Sequence, residues 1–207
     1  GKSTLAGLAA RLYDASEGEV LIDGKNVIDY SFRGLYDKMG YVTQKAVLFS
    51  DTIEGNVAFG EAAQAITEED VKKAIDISQA QEFIDKMEEG LYSHIAQSGG
   101  NVSGGQKQRL SIARAIARNP EILIFDDSFS ALDYKTDKEL RRRLSTDLKG
   151  TTCVIVAQRI GTIRHADKII VLDDGKMAGI GTHEELMKNC EVYQEIALSQ
   201  LSKAELA

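Results

Sequence analysis

The chain has 207 residues, of which 43% are hydrophobic and 28% are charged. This length can bury a full hydrophobic core, and the sequence contains no run of about 18 apolar residues that would predict a membrane-spanning helix. The 32 acidic and 25 basic residues give a formal net charge of −7, which argues against a surface that binds a nucleic-acid backbone.

The first four residues, Gly1-Lys2-Ser3-Thr4, match the end of the phosphate-binding pattern G-x-x-x-x-G-K-[ST]. In that pattern, backbone amides surround the phosphates, the lysine contacts the β and γ oxygens, and the hydroxyl reaches Mg²⁺. Only the last half of the pattern is present, and the tetrapeptide alone fits a plain helix start equally well. The helix predicted to follow has apolar residues at Leu5, Leu8, Ala9 and Leu12.

Two short strand patterns precede a long helical stretch. Residues 19–24 end in Asp-Gly and predict a hairpin, and a strand over 40–43 leads to Gln44. From residue 47 to about 115 the apolar spacing is mostly helical, and one helix is predicted to begin at Thr67. The predicted apolar side of that helix consists of Val71, Ala74 and Ile75.

The segment Val102-Ser103-Gly104-Gly105-Gln106 predicts a helix start that faces an anion. Ser103 and Gln106 stand in the S-x-x-Q relation of a capping box, so a helix is predicted from Ser103 through Ala117. The two glycines have no side chains, which lets the backbone approach another group closely. The free amides and the helix dipole favour a phosphate at this position. Taken alone, the segment fits a helix that merely has a good cap equally well.

The apolar run 122–125, followed by Asp126 and Asp127, predicts a buried parallel strand with carboxylates at its carboxyl end. Ligands of open α/β sheets bind at that end of the strands. A strand that ends in a polar turn would carry the same pair. Together with Ser3, however, Asp126 provides the hydroxyl and the carboxylate that anchor one Mg²⁺ in nucleotide sites.

The C-terminal part alternates helices and strands, as expected for a parallel sheet. A helix with leucines at four-residue spacing carries the basic run 141–143, which is interpreted as a solvated face. A buried strand is predicted over 152–157 and a closing hairpin over 168–180. A capping box at Thr182 begins another helix, and 187–207 are interpreted as an amphipathic C-terminal helix.

The two cysteines and three histidines predict neither a disulfide framework nor a transition-metal site. Cys153 lies in the predicted buried strand and Cys190 in the predicted C-terminal helix. His94, His165 and His183 lie far apart without the spacing of metal ligands, so each is interpreted as a surface or cap residue.

Together these motifs resemble the ATP-binding domain of ATP-binding cassette (ABC) transporters, over residues 1 to about 186. In this resemblance, 102–106 correspond to the signature motif and 122–126 to the second Walker motif. Gln44 is similar to the glutamine that contacts the metal and couples domains. The segment Ser130-Ala131-Leu132-Asp133 is similar to the loop that crosses the dimer interface.

The resemblance implies an α/β fold: a P-loop NTPase (RecA-like) core with a mainly parallel sheet and an inserted α-helical subdomain. Within a single ABC ATP-binding domain, the core is expected at 1–46 and 116–186, the helical subdomain with the signature motif at 47–115, and a C-terminal helix at 187–207. Because the chain opens inside the phosphate loop, the first strands of the core are expected to be missing. These residues alone are therefore expected to bind ATP weakly or not at all.

ATP and Mg²⁺ are the implied cofactors. The residues that the resemblance assigns to ATP are Gly1, Lys2, Ser3, Thr4 and Gln44. The residues that it assigns to Mg²⁺ are Ser3, Gln44 and Asp126.

Residues 48–53 and 159–172 are closer to exporter than to importer versions of the family. This similarity implies a second ABC ATP-binding domain as partner, paired head to tail so that each ATP lies between one chain's phosphate loop and the other chain's signature helix. It also implies a transmembrane domain upstream in the same polypeptide and a position on the cytoplasmic face of the cell membrane. No nucleic-acid partner is expected.

Two residues depart from the family pattern at the expected catalytic positions. Asp127 stands where hydrolytic members place Glu, which shortens the carboxylate that polarises the attacking water by about 1 Å. Gln158 stands where the family usually has a His that touches the γ-phosphate, and an amide can donate a hydrogen bond but cannot relay a proton. With 102–106 intact, this combination predicts one half of a heterodimeric exporter, whose own site hydrolyses ATP slowly while its signature motif serves the ATP of a different partner chain.

Two other functions stay open. One is a soluble ABC ATPase of the DNA-repair or translation type, which inserted coiled coils or a second cassette in the chain would mark; neither feature is visible in the sequence. The other is a regulatory domain that binds nucleotide without hydrolysing it, which Asp127 and Gln158 also fit.

Overall fold

The computed structural model describes residues 1–60, 62 and 64–200. Its helices and strands, in chain order, are α1 (Lys2–Ala9), β1 (Leu21–Ile22), β2 (Lys25–Asn26), α2 (Phe32–Asp37), β3 (Met39–Val42), β4 (Asp51–Thr52), α3 (Ile53–Val57), α4 (Glu68–Ile77), α5 (Gln81–Ile84), β5 (His94–Ile95), α6 (Gly104–Ala117), β6 (Ile122–Asp126), α7 (Tyr134–Asp147), β7 (Thr152–Val156), α8 (Ile160–Ile163), β8 (Ile169–Asp173), β9 (Lys176–Gly181), α9 (His183–Asn189) and α10 (Glu191–Gln200). Within these described ranges, every helix is too short or too polar to cross a lipid bilayer.

A three-stranded parallel sheet, in the order β3-β6-β7, forms the centre of the fold. Residues 123–125 of the middle strand are fully buried, because strands flank β6 on both sides and helices cover it. Since the strands are parallel, their carboxyl ends share one edge of the sheet. The chain segments that carry Gln44, Asp126 and Gln158 leave the sheet at this edge.

The strand predicted over 152–157 forms, but the prediction that it is buried is wrong. The strand forms as β7, but Thr152, Cys153 and Val154 are exposed. β7 pairs only with β6, and among the described residues the β8–β9 hairpin forms a separate sheet. An apolar run predicts a strand, but whether that strand is buried depends on what packs against it.

α1 is shorter than the helix predicted through Leu12, since it ends at Ala9. Arg11 adopts a left-handed backbone with φ +50°. The Arg11 N–H donates to the Leu8 carbonyl at 3.1 Å, and the Leu12 N–H donates to the Gly7 carbonyl at 2.9 Å. These are the two hydrogen bonds of a Schellman motif, which ends the helix and leaves Leu12 exposed.

The segment between β3 and β6 contains α3, α4, α5 and α6. Thr67 caps α4 as predicted, because its side chain accepts from the Asp70 N–H and the Asp70 carboxylate accepts from the Thr67 N–H. The side of α4 predicted to be apolar is buried within the main core, which it shares with α6; it consists of Val71, Ala74 and Ile75.

The basic run on α7 is not the solvated face predicted for it. Arg141 forms an ion pair with the buried Asp137, and Arg143 forms one with Asp76 on α4. The side chains of Arg141 and Arg143 are 17% and 21% exposed, whereas that of Arg142 is 56% exposed. Arg143 and Asp76 lie 67 positions apart, so the helical spacing of α7 alone cannot predict their contact.

The C-terminal elements form a small core of their own. β8 and β9 pair as the predicted antiparallel hairpin. Thr182 caps α9 through a capping box with Glu185, as predicted. α10 packs against the hairpin and α8 through the buried side chains of Tyr193 and Ala197.

The single C-terminal helix predicted over 187–207 is divided in the structure. Cys190 has an extended backbone, with φ −126° and ψ 102°, so α9 ends before it and α10 begins after it. Cys190 is therefore a buried residue between two helices and not part of one. Residues 201–207 of the predicted helix lie outside the described residues.

Candidate nucleotide site

A cleft of about 160 Å³ lies at the carboxyl edge of the central sheet. The residues that line it are Gly1, Lys2, Ser3, Gln44, Asp127, Val156 and Gln158. All of them except Val156 are residues that the sequence predicts as ATP-binding, metal-binding or catalytic. The fold thus gathers the start of the chain and the ends of three strands around one space.

The N-terminus of α1 opens into this cleft. Gly1 is the N-cap, Lys2 and Ser3 begin the helix, and no side chain caps it. The first N–H groups of the helix therefore stay available to a ligand, and the helix dipole favours an anion there. Thr4 is not part of the cleft wall; its carbonyl accepts a hydrogen bond of 3.2 Å from the Tyr13 hydroxyl.

Ser3 and Asp126 meet beside the cleft. The Ser3 Oγ donates a hydrogen bond of 2.7 Å to Asp126 Oδ1. Two oxygens that bind one Mg²⁺ at about 2.1 Å lie about 3 Å apart in an octahedral shell, so this pair fits a shared magnesium ion. In the described part of the chain, no group of three or more His, Cys, Asp or Glu side chains could hold a metal. A Mg²⁺ held by Ser3 and Asp126 would therefore take its remaining ligands from uncharged groups such as Gln44, which lines the cleft, and from phosphate and water oxygens.

Tyr41 belongs to this site, although the sequence reasoning missed it. Its hydroxyl donates a hydrogen bond of 3.2 Å to Asp126 Oδ2. Burial, together with the charge and hydrogen bond of Asp126, raises the pKa of Tyr41 to about 12, so the hydroxyl stays a neutral donor near pH 7. Tyr41 lies opposite Ile124, two residues before Asp126 and on the same face of the sheet. Only the register between β3 and β6 reveals that proximity.

Asp127 is the point where the two other predicted polar side chains meet. Its Oδ2 accepts hydrogen bonds from Gln44 Nε2 at 3.0 Å and from Gln158 Nε2 at 3.4 Å. Its backbone has φ +50°, a left-handed conformation that Asp tolerates better than most residues. Its N–H donates to the Val156 carbonyl at 3.0 Å. Both departures from the family pattern therefore contact each other in one hydrogen-bonded group.

The predicted signature residues begin α6. Ser103 is the N-cap: its Oγ accepts from the Gln106 N–H at 3.3 Å, and the Gln106 Oε1 accepts from the Ser103 N–H at 2.8 Å. A Cβ at Gly104 would meet nothing within 4 Å, whereas one at Gly105 would lie 3.3 Å from the Ala131 carbonyl oxygen. The helix start is thus open at Gly104 and closely packed at Gly105.

The signature residues lie apart from the cleft and are connected to it by a loop. Among the described residues, the cleft wall includes none of 102–106. The Ser130 Oγ donates to the Asp127 carbonyl at 2.8 Å, and the next residue, Ala131, lies against Gly105. A continuous set of contacts therefore runs from the cleft through the predicted interface loop to the start of α6.

The remaining predicted residues of these two segments make structural contacts. Leu132 is buried in the main core, and Val102 is half-buried against it. Asp133 is the N-cap of α7, and its side chain accepts from the Thr136 N–H at 3.0 Å and from the Thr136 hydroxyl at 2.7 Å. These hydrogen bonds lower the pKa of Asp133. They fix the far end of the loop at the start of a helix.

Comparison with known proteins gives the same family as the motifs. Residues 1–130 match the family described as ABC transporter. An uncharacterized ABC transporter ATP-binding protein of Mycobacterium tuberculosis (strain ATCC 25618 / H37Rv) is 44% identical over 201 residues, which cover 97% of this chain and 34% of that protein. An ATP-dependent lipid A-core flippase of Hahella chejuensis (strain KCTC 2396) is 40% identical over 205 residues, which cover 99% of this chain and 35% of the flippase.

A solved structure is also similar along nearly the whole chain. The structure of a bacterial Atm1-family ABC exporter with ATP bound matches with a TM-score of 0.91 at 35% identity, covering 98% of this chain and 35% of that one. The chain therefore spans about a third of the length of the relatives that it matches. It belongs to the ABC transporter family and has the P-loop NTPase fold of the ATP-binding domain of that family.

Proposed function

We propose that this chain is the part of an ABC exporter that binds and hydrolyses ATP on the cytoplasmic face of a membrane. The observation that carries the proposal is the 2.7 Å contact between Ser3 and Asp126 beside an uncapped helix N-terminus. That arrangement offers backbone amides for phosphate and two oxygens for Mg²⁺. The printed names of the relatives, a lipid A-core flippase and an exporter with ATP bound, support export as the purpose.

In this proposal each residue of the cleft has a separate task. Lys2 and the first amides of α1 would bind the phosphates, while Ser3, Asp126 and Gln44 would hold Mg²⁺. Bound Mg²⁺ would neutralise charge on the phosphate oxygens. Asp127 accepts a hydrogen bond from the attacking water and orients it.

We propose that the nucleotide site formed by this chain's own residues hydrolyses ATP slowly. The Asp127 carboxylate is one methylene shorter than a glutamate, and it already accepts hydrogen bonds from Gln44 and Gln158. Both amides hold it in place, and neither can take up a proton at neutral pH. A displacement of about 1 Å in a group that orients water can cost on the order of a hundredfold in rate.

The signature motif is proposed to act on the ATP of a partner. Its capping box is complete, and the position of Gly104 is open. The free amides at this helix start can bind a phosphate that a second ABC ATP-binding domain presents, paired head to tail. We infer that the partner is a different chain with a complete site and that a transmembrane domain precedes this domain in the same polypeptide.

A regulatory domain that binds ATP without hydrolysing it is the second candidate. Asp127 and Gln158 favour it, because they stand where the family usually has the Glu and the His that take part in cleavage. The two functions differ in the nucleotide that is released: a regulator releases ATP unchanged, whereas a slow half-site releases ADP and phosphate after a single turnover.

The proposed function can be tested with the full-length transporter in membranes. ATP binding and cleavage would be measured against Mg²⁺ concentration for the parent and for Ser3→Ala and Asp126→Asn. Both variants are expected to need more Mg²⁺, and Asp126→Asn is expected to bind the metal about ten- to a hundredfold more weakly, because the carboxylate is a direct ligand.

The matched control is Asp174→Asn, which makes the same chemical change at an exposed aspartate in the β8–β9 turn. It should behave as the parent does. If Asp126→Asn and Asp174→Asn showed the same Mg²⁺ dependence, the proposed metal site would be wrong. The partner is tested by mass spectrometry of proteins that co-purify from membranes: a second ABC chain with Glu and His at the matching positions supports the heterodimer, and recovery of this chain alone contradicts it.

A further inference from the structure

The last described residue of α10 contacts the loop that carries Gln158. The Gln200 Oε1 accepts a hydrogen bond of 2.9 Å from the Ile160 N–H, and the Gln200 Nε2 donates one of 2.8 Å to the Gln158 carbonyl. One side-chain amide thus uses both of its polar ends. It binds the backbone on either side of Arg159, at a separation of 40 to 42 positions along the chain.

The loop needs this contact because it has no cap of its own. Arg159 is the N-cap of α8, and its side chain makes no capping hydrogen bond. An uncapped helix start leaves its first N–H groups without a partner. Gln200 supplies the missing acceptor for Ile160, which is 3% exposed and whose N–H has little access to water.

α10 itself is packed against the rest of the C-terminal core. Tyr193 and Ala197 are 1% and 0% exposed and pack in the same cluster as Ile160. The cluster joins α10 to the hairpin and to α9, so Gln200 is presented from a packed helix and not from a loop. A side chain on a packed element can set the position of a backbone segment that it binds.

The position of this loop matters for the nucleotide site because the hydrogen bond from Gln158 to Asp127 is long. Gln158 Nε2 lies 3.4 Å from Asp127 Oδ2. The usual donor–acceptor distance for such a bond is about 2.7–3.2 Å, so this contact is already long, and a small outward shift of the Gln158 backbone would break it. The Gln158 backbone, which Gln200 binds, determines where that side chain begins.

We propose that Gln200 is a positioning residue of the nucleotide site: through the backbone of Gln158 and Ile160, the C-terminal helix sets the distance between Gln158 and Asp127. The inference rests on the proposed function for its effect on ATP cleavage. The contact with the backbone does not depend on that function and can be measured by itself.

The first test measures amide hydrogen exchange of Ile160 in the full-length protein, with fragmentation that resolves single residues. Gln200→Ala is expected to make exchange of this amide about two- to tenfold faster, the factor expected for loss of one ordinary hydrogen bond. Gln194→Ala is the matched control: Gln194 lies on the same helix and donates to the Met187 carbonyl, away from the loop. Equal exchange of Ile160 in the two variants would overturn the inference.

The second test measures kcat and KM for ATP cleavage at this chain's own site, in the full transporter with the partner's site inactivated. Gln200→Ala is expected to lower kcat about two- to tenfold with little change in KM for ATP, because the residues assigned to phosphate binding are untouched. In a Gln158→Ala background, Gln200→Ala should have no further effect on kcat, since it acts through Gln158. An undiminished effect in that background would overturn the positioning role.

A third variant, Gln200→Glu, tests the contact without shortening the side chain, so that fraying of the end of α10 does not account for the result. Gln200→Glu retains an acceptor for the Ile160 N–H but places a second oxygen against the Gln158 carbonyl. Protection of the Ile160 amide should therefore stay near the parent level while kcat still falls. A parent protein that never cleaves ATP would contradict the proposed function, whereas the exchange measurement would still decide about the contact.

Discussion

The Tyr41 hydroxyl donates a hydrogen bond of 3.2 Å to Oδ2 of Asp126. The other oxygen of that carboxylate accepts from Ser3 at 2.7 Å. Both oxygens of the proposed metal ligand are thus oriented by neutral hydroxyl groups that come from different elements, β3 and α1. A carboxylate held in this way loses less side-chain freedom when it binds Mg²⁺, and this lowers the cost of binding.

The raised pKa of Tyr41 predicts a loss of stability at high pH. Its folded-state pKa is about 12, above the ordinary value of 10.0. A group with a raised pKa contributes stability that is complete below the unfolded value and is lost as pH rises through the folded value. The free energy of unfolding should therefore fall more steeply between about pH 10 and pH 12 in the parent than in Tyr41→Phe. Urea denaturation at pH 9 and pH 11.5 would measure this, and parallel pH curves would rule the prediction out.

Restoring the family residues at the two departures is predicted to accelerate cleavage at this chain's own site. Asp127→Glu combined with Gln158→His should raise the single-turnover rate about ten- to a hundredfold, because the longer carboxylate reaches the water and the imidazole contacts the γ-phosphate. Rapid-quench measurement in the full transporter is the readout. An unchanged rate, together with ATP that is already short-lived at this site in the parent, would contradict the slow-site hypothesis.

The backbone conformation of Asp127 is the reason that this experiment needs a control for protein stability. Asp127 has φ +50°, and a residue with a longer side chain pays about 1 kcal/mol more in this left-handed region than Asp does. Asp127→Glu should therefore unfold at a slightly lower temperature than the parent. The rate comparison is valid at temperatures where thermal unfolding of both proteins is absent.

Blocking the start of α6 is predicted to impair the partner's site. Ser103→Arg removes the capping box and places a long side chain at the proposed phosphate-binding amides, so hydrolysis of the partner's ATP should fall more than it does with any substitution at Asp127. Thr67→Arg is the matched control, since it removes the same type of capping box from α4. Similar losses in both variants would mean that helix stability, and not the signature surface, accounts for the effect.

The features that the sequence predicts well are local ones. The capping boxes at Ser103 and Thr182 form because each needs only residues three positions apart, and the hairpin after β8 needs only its Asp-Gly turn. The carboxyl ends of parallel strands share an edge of the sheet, so strand assignment alone places Gln44, Asp127 and Gln158 at the same edge, and the strand order β3-β6-β7 brings them into contact.

The features that the sequence does not predict depend on what packs against an element. Tyr41 reaches Asp126 only because of the register between β3 and β6, and no local pattern specifies that register. β7 has the composition of a buried strand, but it lies at the edge of its sheet and its first three residues are exposed. The basic run on α7 has the composition of a solvated surface, yet Arg143 meets an aspartate on another helix.

That ion pair gives a prediction about stability. Arg143 bonds to Asp76 on α4 and to Asp147 on its own helix, and the two partners hold the pKa of its guanidinium above the ordinary value. Arg143→Met keeps most of the aliphatic stem and removes both pairs. Because Asp76 is 59% exposed, solvent screens the interaction, and the expected loss is about 1 kcal/mol in the free energy of unfolding.

Arg142→Met is the matched control, since Arg142 belongs to the same basic run but, within the described part of the chain, pairs only with Glu139 one turn earlier, in solvent. It should destabilise the protein less than Arg143→Met does, as judged by urea denaturation at low ionic strength. The difference between the two variants should shrink near 1 M salt, where charges are screened beyond about 3 Å. If Arg142→Met cost as much as Arg143→Met, the contact between α7 and α4 would contribute nothing beyond an exposed helical pair, and the basic run would behave as a solvated face after all.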